Sequence, residues 1–145
     1  MLTIKPMGKE HLERVLDIES SCFTDPWSMA SFEYDLKNPN AYYTVACIGD
    51  KVVGFAGMHF VLDEGHITNI AVDKSCRGMG IGHALVLDFL DFARGLALSF
   101  MMLEVRQSNA PAIKLYQAHG FNQIHVRDDY YKNPTEDAVI MILNL

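Results

Sequence analysis

Residues 76–82 read CRGMGIG, and this short stretch decides how the rest of the chain is interpreted. Three glycines alternate with bulky residues behind an arginine, a density that usually lets the backbone come close to a neighbouring group. The stretch lies between a strand-like run at 65–72 and a helical pattern at 83–94. Exposed backbone N–H groups and the positive end of a helix dipole favour an anion such as a pyrophosphate there. A tight turn whose glycines only permit helix–sheet packing would have the same spacing.

Two common phosphate-binding motifs do not fit this glycine stretch. A phosphate loop of the NTPase type requires GxxxxGK followed by Ser or Thr, whereas Gly82 is followed by His83 and Ala84. A dinucleotide fingerprint requires GxGxxG, whereas the glycines here follow GxGxG, and no matching strand–turn–helix lies near the N-terminus. The loop therefore predicts a different phosphate-bearing ligand, or none.

The composition is that of an ordinary globular protein. The chain has 145 residues, of which 50% are hydrophobic and 21% charged, and this predicts a single domain over residues 1–145. A net charge of −6 argues against a nucleic-acid binder and is compatible with a basic protein or an amine as partner. No apolar run is long enough for a signal peptide or a membrane helix. We therefore expect a soluble, cytoplasmic protein without a membrane or nucleic-acid partner.

The cysteines and histidines do not indicate a metal site or a structural disulfide. Cys22, Cys47 and Cys76 are an odd set without a CxxC pair, and six histidines are scattered without an HExxH motif. The run DEGH at 63–66 is more typical of a solvated turn than of a metal site. We therefore expect no metal.

The hydrophobic periodicity predicts a mixed sheet with helices on both faces. Strand-like runs occur at 2–6, 42–48, 51–61, 65–72, 100–105, 121–127 and 138–144, and helical runs at 9–21, 28–36, 83–94 and 110–118. The hairpin signal at Gly49-Asp50 predicts antiparallel early strands, and the strand–helix–strand unit at 65–105 predicts a parallel pair. Ser28 fits a helix N-cap and Gly95 a C-cap. The predicted fold class is α/β (α+β), with a mostly antiparallel sheet around a parallel βαβ core.

The motifs resemble those of a known enzyme superfamily. RGMGIG at 77–82 matches the Arg/Gln-x-x-Gly-x-Gly/Ala signature of the GNAT acetyltransferases, and the NIAV strand, the segment 103–121 and the order of elements match too. Within that superfamily the chain resembles bacterial ribosomal-protein-alanine N-acetyltransferases (RimI type). The segments that carry this resemblance are DPWS at 25–28, LDEGHITNIAV at 62–72, LEVRQSNAPAIKLY at 103–116 and RDDYYKNPTEDAVIM at 127–141. The YY…EDA tail is shared with archaeal and eukaryotic N-terminal acetyltransferases.

The resemblance implies a direct transfer of an acetyl group from acetyl-CoA to an amine. Glu104 would be the general base and Tyr116 the general acid. The NIAV backbone would pair with the pantetheine amides, the loop amides would hold the pyrophosphate, and an asparagine would hold the pantetheine arm. The implied cofactor-binding residues are Ile70, Ala71, Val72, Arg77, Gly78, Met79, Gly80, Ile81, Gly82, His83 and Asn109.

The residues by themselves leave structural alternatives open for each role. Glu104 also fits the exposed face of an alternating strand, and Tyr116 fits a core tyrosine with its hydroxyl at the surface. Asn109 fits a helix N-cap in front of Ala110 and Pro111.

Three hypotheses about the substrate follow. The first is transfer to the N-terminal alanine of a basic protein, most simply a small-subunit ribosomal protein, with Trp27, Tyr130 and Tyr131 flanking the peptide entrance. The second is a GNAT enzyme for a lysine side chain or a small amine. The third is a non-catalytic acyl-CoA sensor on the same fold. The YY…EDA tail favours the first hypothesis, and the presence of Glu104 and Tyr116 argues against the third.

Overall fold

One mixed sheet of seven strands organises the chain, which a computed structural model describes over residues 1–145. The strands are β1 (Leu2–Pro6), β2 (Ala41–Ile48), β3 (Lys51–Val61), β4 (Glu64–Val72), β5 (Phe100–Arg106), β6 (Asn122–Tyr131) and β7 (Glu136–Asn144). The helices are α1 (Leu12–Cys22), α2 (Met29–Leu36), α3 (Ile81–Gly95) and α4 (Ala110–Ala118), with two 3-10 turns at Lys9–His11 and Lys74–Cys76. The predicted order of strands and helices is confirmed.

The sheet has the predicted mixture of strand directions. Its strand order is β1-β2-β3-β4-β5-β7-β6. Only β4 and β5 are parallel, and every other neighbouring pair is antiparallel. The predicted fold class is therefore confirmed, and the α3 crossover lies inside the parallel unit as expected.

Helices cover both faces of the sheet because each helix presents one apolar stripe. On one face, Val15 of α1 and Phe32 of α2 are fully buried against Phe55 of β3. On the other face, Leu85 and Phe89 of α3 are fully buried in the larger core cluster, which also contains side chains of β4, β5 and α4. Full burial of side chains of this size stabilises the fold by about 1.5–3 kcal/mol each. No helix is long and apolar enough to span a bilayer.

Two boundaries differ from the sequence prediction. Gly95 is not a C-cap: it lies in the last turn of α3, Leu96 is the cap, and the left-handed residue is Ala97, at φ 57°. The sixth strand does not end at residue 127. It continues to Tyr131 through an irregularity in which Asp129 takes φ 50°. Both tyrosines of the YY pair therefore belong to a strand.

A β-bulge in β4 lies close to the place where the sheet opens into a cleft. The β3–β4 register pairs Met58 with Ile67 and Gly57 with Asn69, so Thr68 is an extra residue in β4. Such a bulge bends its strand and increases the local twist. The parallel pairing of β4 with β5 ends at His66, although both strands continue. Beyond that point β4 and β5 separate.

Candidate active site

The separated ends of β4 and β5 form the walls of a cavity of about 440 Å³. Side chains from α1, from the loop before α2 and from α4 complete its lining. Six of the residues singled out from the sequence line this cavity: Trp27, Ile70, Glu104, Asn109, Tyr116 and Tyr131. Residues that are far apart in the sequence therefore meet in one place.

Glu104 extends from β5 into the cavity, with its side chain 15% exposed. Burial by itself raises the pKa of this carboxyl group. The hydrogen bond from His66, the charge of that imidazole, the Tyr130 hydroxyl and the Arg127 guanidinium outweigh the burial, so the pKa of Glu104 lies below its ordinary value. The carboxylate is therefore ionised at neutral pH and can accept a proton or a hydrogen bond.

His66 is the main functional candidate that the sequence interpretation missed. The predicted strand at 65–72 already contains His66, but the sequence indicates no role for it. Its Nε2 lies 2.9 Å from one oxygen of Glu104 and 3.0 Å from the other. The register pairs His66 with Met102, two residues before Glu104. Period-2 alternation places a strand residue and its second neighbour on one face. That register could not be inferred, because it joins strands that are distant in sequence.

Tyr116 faces the cavity from α4 and is 7% exposed. Its hydroxyl forms no hydrogen bond within the protein. Burial, together with the nearby Tyr131 hydroxyl, raises the pKa of Tyr116. The phenol is therefore protonated at neutral pH and has a hydrogen-bond donor free for a ligand in the cavity.

The glycine loop in front of α3 has the conformation and the open space that an anion site requires. Gly78 and Gly80 have φ values of +80° and +79°, and Gly80 is the N-cap of a helix whose end no side chain caps. No protein atom lies within 4 Å of the position where a Cβ would stand at either glycine. The first N–H groups of the helix therefore lack intrahelical partners and face accessible space. Arg77 and Met79, which flank Gly78, are exposed.

The third glycine of the loop has a different role. A Cβ at Gly82 would stand 3.1 Å from the Leu115 side chain, so this glycine permits α3 to pack against α4. The next residue, His83, places its Nδ1 2.9 Å from Nε2 of His119. Burial, followed by the charge of His83, lowers the pKa of His119. The loop therefore combines both alternatives left open by the sequence: two glycines leave space and one serves packing.

The end of β4 offers a free backbone edge to the cavity. Ile70, Ala71 and Val72 pair with β3 on one side, and beyond His66 β4 has no strand partner on the β5 side. The Val72 carbonyl accepts the Cys22 thiol at 3.6 Å. An unpaired strand edge presents N–H and C=O groups in a row. At the opposite wall, Asn109 caps α4 through its side-chain oxygen, which accepts from the Ala112 N–H at 3.3 Å.

The predicted aromatic residues occupy distinct positions around the mouth. Trp27 and Tyr131 line the cavity, and the Arg106 guanidinium lies 4.5 Å from the centre of the Tyr131 ring. Tyr130 is outside the lining and instead donates from its hydroxyl to Glu104 Oε1 at 3.3 Å. Tyr130 therefore contacts the candidate base directly, which the sequence did not indicate.

A second group of polar side chains lines the α1 wall of the cavity. Glu19 is 2% exposed, and its Oε2 accepts the backbone N–H of Trp27 at 2.9 Å. Asn69 donates to the other oxygen at 3.4 Å, while its own Oδ1, like the Thr68 hydroxyl, is buried without a partner. Burial raises the pKa of Glu19, although both hydrogen bonds lower it. Glu19 therefore fixes the loop that carries Trp27. No group of three or more His, Cys, Asp or Glu side chains is arranged to hold a metal ion.

The site and the fold define the class of this protein. Residues 12–121 match the acetyltransferase (GNAT) family, and the chain belongs to that family, as its motifs predict. It is 36% identical over 139 residues to the putative [ribosomal protein bS18]-alanine N-acetyltransferase of Bacillus subtilis, covering 95% of this chain and 92% of that protein. Its fold is similar to the crystal structure of the ribosomal-protein-S18-alanine N-acetyltransferase from Escherichia coli, with a TM-score of 0.91 and 34% identity, covering 99% of this chain and 94% of that one.

A further relative named for the same activity matches this chain over nearly its whole length. The chain is 35% identical to the [ribosomal protein bS18]-alanine N-acetyltransferase of Haemophilus ducreyi, covering 98% of this chain and 99% of that protein. The expected resemblance to this group of acetyltransferases is therefore confirmed over nearly the whole length.

Proposed function

We propose that the protein transfers the acetyl group of acetyl-CoA to the α-amino group of a protein N-terminus, with the N-terminal alanine of ribosomal protein bS18 as its acceptor. The observation that carries this proposal is the meeting of Glu104 and Tyr116 in one cavity, between a free strand edge and an uncapped helix N-terminus. The similarity to bS18-alanine acetyltransferases over nearly the full length supports the choice of acceptor.

The glycine loop and β4 are the proposed binding surface for acetyl-CoA. The amides from Arg77 to His83 would hold the pyrophosphate, since Gly78 and Gly80 leave the approach open and the helix dipole favours negative charge. The free edge at 70–72 would pair with the pantetheine amides as an additional strand does. The acetyl group of the cosubstrate would then lie near the point where β4 and β5 separate.

Glu104 is the proposed acceptor of the amine proton. An α-amino group has a pKa of about 7.7–8.0, so much of it is protonated at neutral pH and cannot attack a thioester. The ionised carboxylate takes this proton, directly or through a water, as the nitrogen lone pair forms the bond to the acetyl carbonyl carbon. The oxyanion that develops on the carbonyl needs hydrogen-bond donors, and the N–H groups along the free edge of β4 are near.

Tyr116 is the proposed donor to the leaving group. When the tetrahedral intermediate collapses, the C–S bond breaks and the sulfur leaves with the electron pair. A thiol has a pKa of about 8.5, so the departing thiolate benefits from a proton donor. The Tyr116 hydroxyl is protonated, faces the cavity and has no competing partner within the protein.

The chemistry of the amine favours a chain terminus over a lysine side chain. A lysine amine has a pKa of about 10.4, so its neutral form at pH 7 is several-hundred-fold rarer than that of an α-amine. Glu104, with its lowered pKa, is a weak base and suits the more acidic ammonium better. Trp27 and Tyr131 line the cavity and are suited to orienting a peptide backbone.

Two peptides test the proposal. One carries a free N-terminal alanine and an internal lysine, and the other is the same peptide with its N-terminus blocked. With acetyl-CoA and the enzyme, we expect mass spectrometry to find one acetyl group on the α-amine of the first peptide and none on the second. Because the chain is acidic and bS18 is expected to be basic, raised salt should slow the reaction. Acetylation of the blocked peptide at a comparable rate would overturn the assignment in favour of a lysine or small-amine acetyltransferase.

A further inference from the structure

A second cavity of about 390 Å³ opens beside the active site. It is more open than the first and lies where α2 packs on the sheet. Its lining consists of Trp27, Ala30, Ser31, Tyr34, Asp35 and His59. Trp27 lines both cavities, so the pocket adjoins the proposed catalytic cleft at this residue. Apart from Trp27, no residue of this pocket has a role in the proposed acetyl transfer.

A buried carboxylate with one unpartnered oxygen lines this pocket. Asp35 is 7% exposed, and its Oδ2 accepts the Tyr43 hydroxyl at 2.6 Å and contacts His59 Nε2 at 2.7 Å. Both contacts involve the same oxygen, so Oδ1 has no partner within the protein. Oδ1 is also not among the fully enclosed polar atoms that lack partners. A carboxylate oxygen in this position needs a hydrogen-bond donor from outside the chain.

The rest of the lining suits a cationic side chain. No lysine or arginine lines the pocket, so no cation of the chain, apart from a protonated His59, competes for Asp35. Tyr34, 76% exposed, and Trp27 provide aromatic rings at the rim. The aliphatic stem of a lysine or arginine packs well on such rings, and its charged head is attracted to their faces. A neutral apolar side chain would leave the Asp35 oxygen desolvated, and an acidic one would be repelled.

We propose that this pocket is a subsite for a lysine or arginine side chain of the acceptor protein, located a few residues after the acetylated N-terminus. The proposal rests on the proposed function, because it requires the acceptor to enter the main cleft as a polypeptide. Because Trp27 lines both the cleft and the pocket, it marks the point at which an acceptor chain leaving the cleft would enter the pocket. The net charge of −6 adds a favourable field for a basic acceptor.

Peptide acceptors test the subsite. Each peptide in the series begins with alanine and carries one test residue at a single position from the second to the sixth. The test residue is either lysine or norleucine, which has a similar aliphatic side chain but no charge. Fragment mass spectrometry counts only acetylation of the α-amine. At one position we expect kcat/KM for lysine to exceed that for norleucine by about fivefold or more, a ratio typical of a charge-assisted and cation–π contact. Asp35→Asn should bring that ratio close to one.

Two further variants separate charge recognition from damage to the fold. Glu33→Gln removes one negative charge from the same helix but lies outside the pocket lining, so the lysine-to-norleucine ratio should persist. Tyr34→Ala truncates an exposed side chain, which the fold tolerates, and should lower the ratio by about twofold or more. Equal ratios in the wild type at every position, or a ratio that survives Asp35→Asn, would overturn the subsite. In that case acetylation of α-amines would still support the proposed function. Absence of α-amine acetylation from every peptide would contradict both the proposed function and the subsite.

Discussion

The imidazole of His66 spans both carboxylate oxygens of Glu104, with its Nε2 3.0 Å from Oε1 and 2.9 Å from Oε2. The two side chains come from β4 and β5, at the point where the parallel pairing of these strands ends. This contact fixes the plane of the carboxylate and, against the effect of burial, helps to lower the pKa of Glu104. In the proposed reaction, His66 is therefore a positioning residue for the base.

His66→Ala should lower kcat/KM by about tenfold or more, since a hydrogen bond to a charged group contributes about 1.5–3 kcal/mol. It should also change the pH profile. Because His66 lowers the pKa of Glu104, its removal raises that pKa, and the acidic limb of kcat/KM should move to higher pH. His66→Gln retains an N–H donor and should recover part of the rate. Equal losses in both variants, with an unmoved acidic limb, would contradict this role.

Glu104→Gln preserves the shape of the side chain and removes the base. We expect kcat to fall by about 10²–10⁴-fold while the affinity for acetyl-CoA, measured by calorimetry, stays at the wild-type value. The defect should shrink as the pH rises towards the pKa of the α-amine, because more amine is then already neutral. The measurement should run from pH 6.5 to pH 9, which covers about one unit on either side of the α-amine pKa. A defect that stays constant over this range would be inconsistent with Glu104 as the base.

Tyr116→Phe removes only a hydroxyl group that has no partner within the protein. We therefore expect the free energy of unfolding to change little, whereas kcat falls by about 10²–10⁴-fold. Tyr42→Phe is the matched comparison, because the Tyr42 hydroxyl donates to Asp88 at 2.9 Å, away from the cavity. That variant should lose about 1 kcal/mol of stability and keep its kcat. Wild-type turnover by Tyr116→Phe would rule out the proposed acid.

The sequence allowed the elements and the candidate acid and base to be predicted because these depend on local signals. Apolar alternation marks the strands, helical spacing marks the helices, and the resemblance of the motifs pointed to Glu104 and Tyr116. Ser28 was predicted as an N-cap, and its hydroxyl does accept the Ser31 N–H at 3.2 Å. Such features need only a few neighbouring residues to be recognised.

The contacts that were not predicted depend on register and on packing between distant elements. The His66–Glu104 pair requires the β4–β5 register, and the Glu19–Trp27 bond requires the path of the loop before α2. Gly82 resembles its two neighbouring glycines in the sequence, but only the position of Leu115 shows that it serves helix packing. A single sequence contains no local signal for these distances.

Gly80→Val tests the proposed pyrophosphate loop. Valine at φ +79° is strained and places a side chain where the structure leaves open space, so acetyl-CoA affinity should fall by about tenfold or more. Gly49→Val is the matched control, because Gly49 has φ +61° and equally open surroundings in the β2–β3 hairpin. Both variants should lose about 1–2 kcal/mol of stability, but only Gly80→Val should lose affinity. Unchanged affinity in a folded Gly80→Val enzyme would place the ligand elsewhere.

Glu19→Gln should stabilise the protein at neutral and alkaline pH. Burial raises the pKa of Glu19 above its value in the unfolded chain, so the folded state binds this proton more tightly. The contribution of this proton to the free energy of unfolding is fully present below the pKa of Glu19 in the unfolded chain and is lost as the pH rises through its pKa in the folded protein. Glutamine stays uncharged, can still accept the Trp27 N–H, and its amide can donate to Asn69 Oδ1, which has no partner. We therefore expect Glu19→Gln to have a larger free energy of unfolding than the wild type above the folded pKa.

The pH dependence of this gain distinguishes relief of a buried charge from a general effect of removing a carboxylate. In denaturant titrations the stability advantage of Glu19→Gln over the wild type should narrow steadily as the pH falls towards about 4.3, the pKa of an unperturbed glutamate. Asp17→Asn removes an exposed charge from the same helix and should show no such trend. A Glu19→Gln protein that is less stable than the wild type at pH 8, where an unperturbed glutamate of pKa about 4.3 is fully ionised, would mean that the carboxylate charge itself is needed to hold the Trp27 loop.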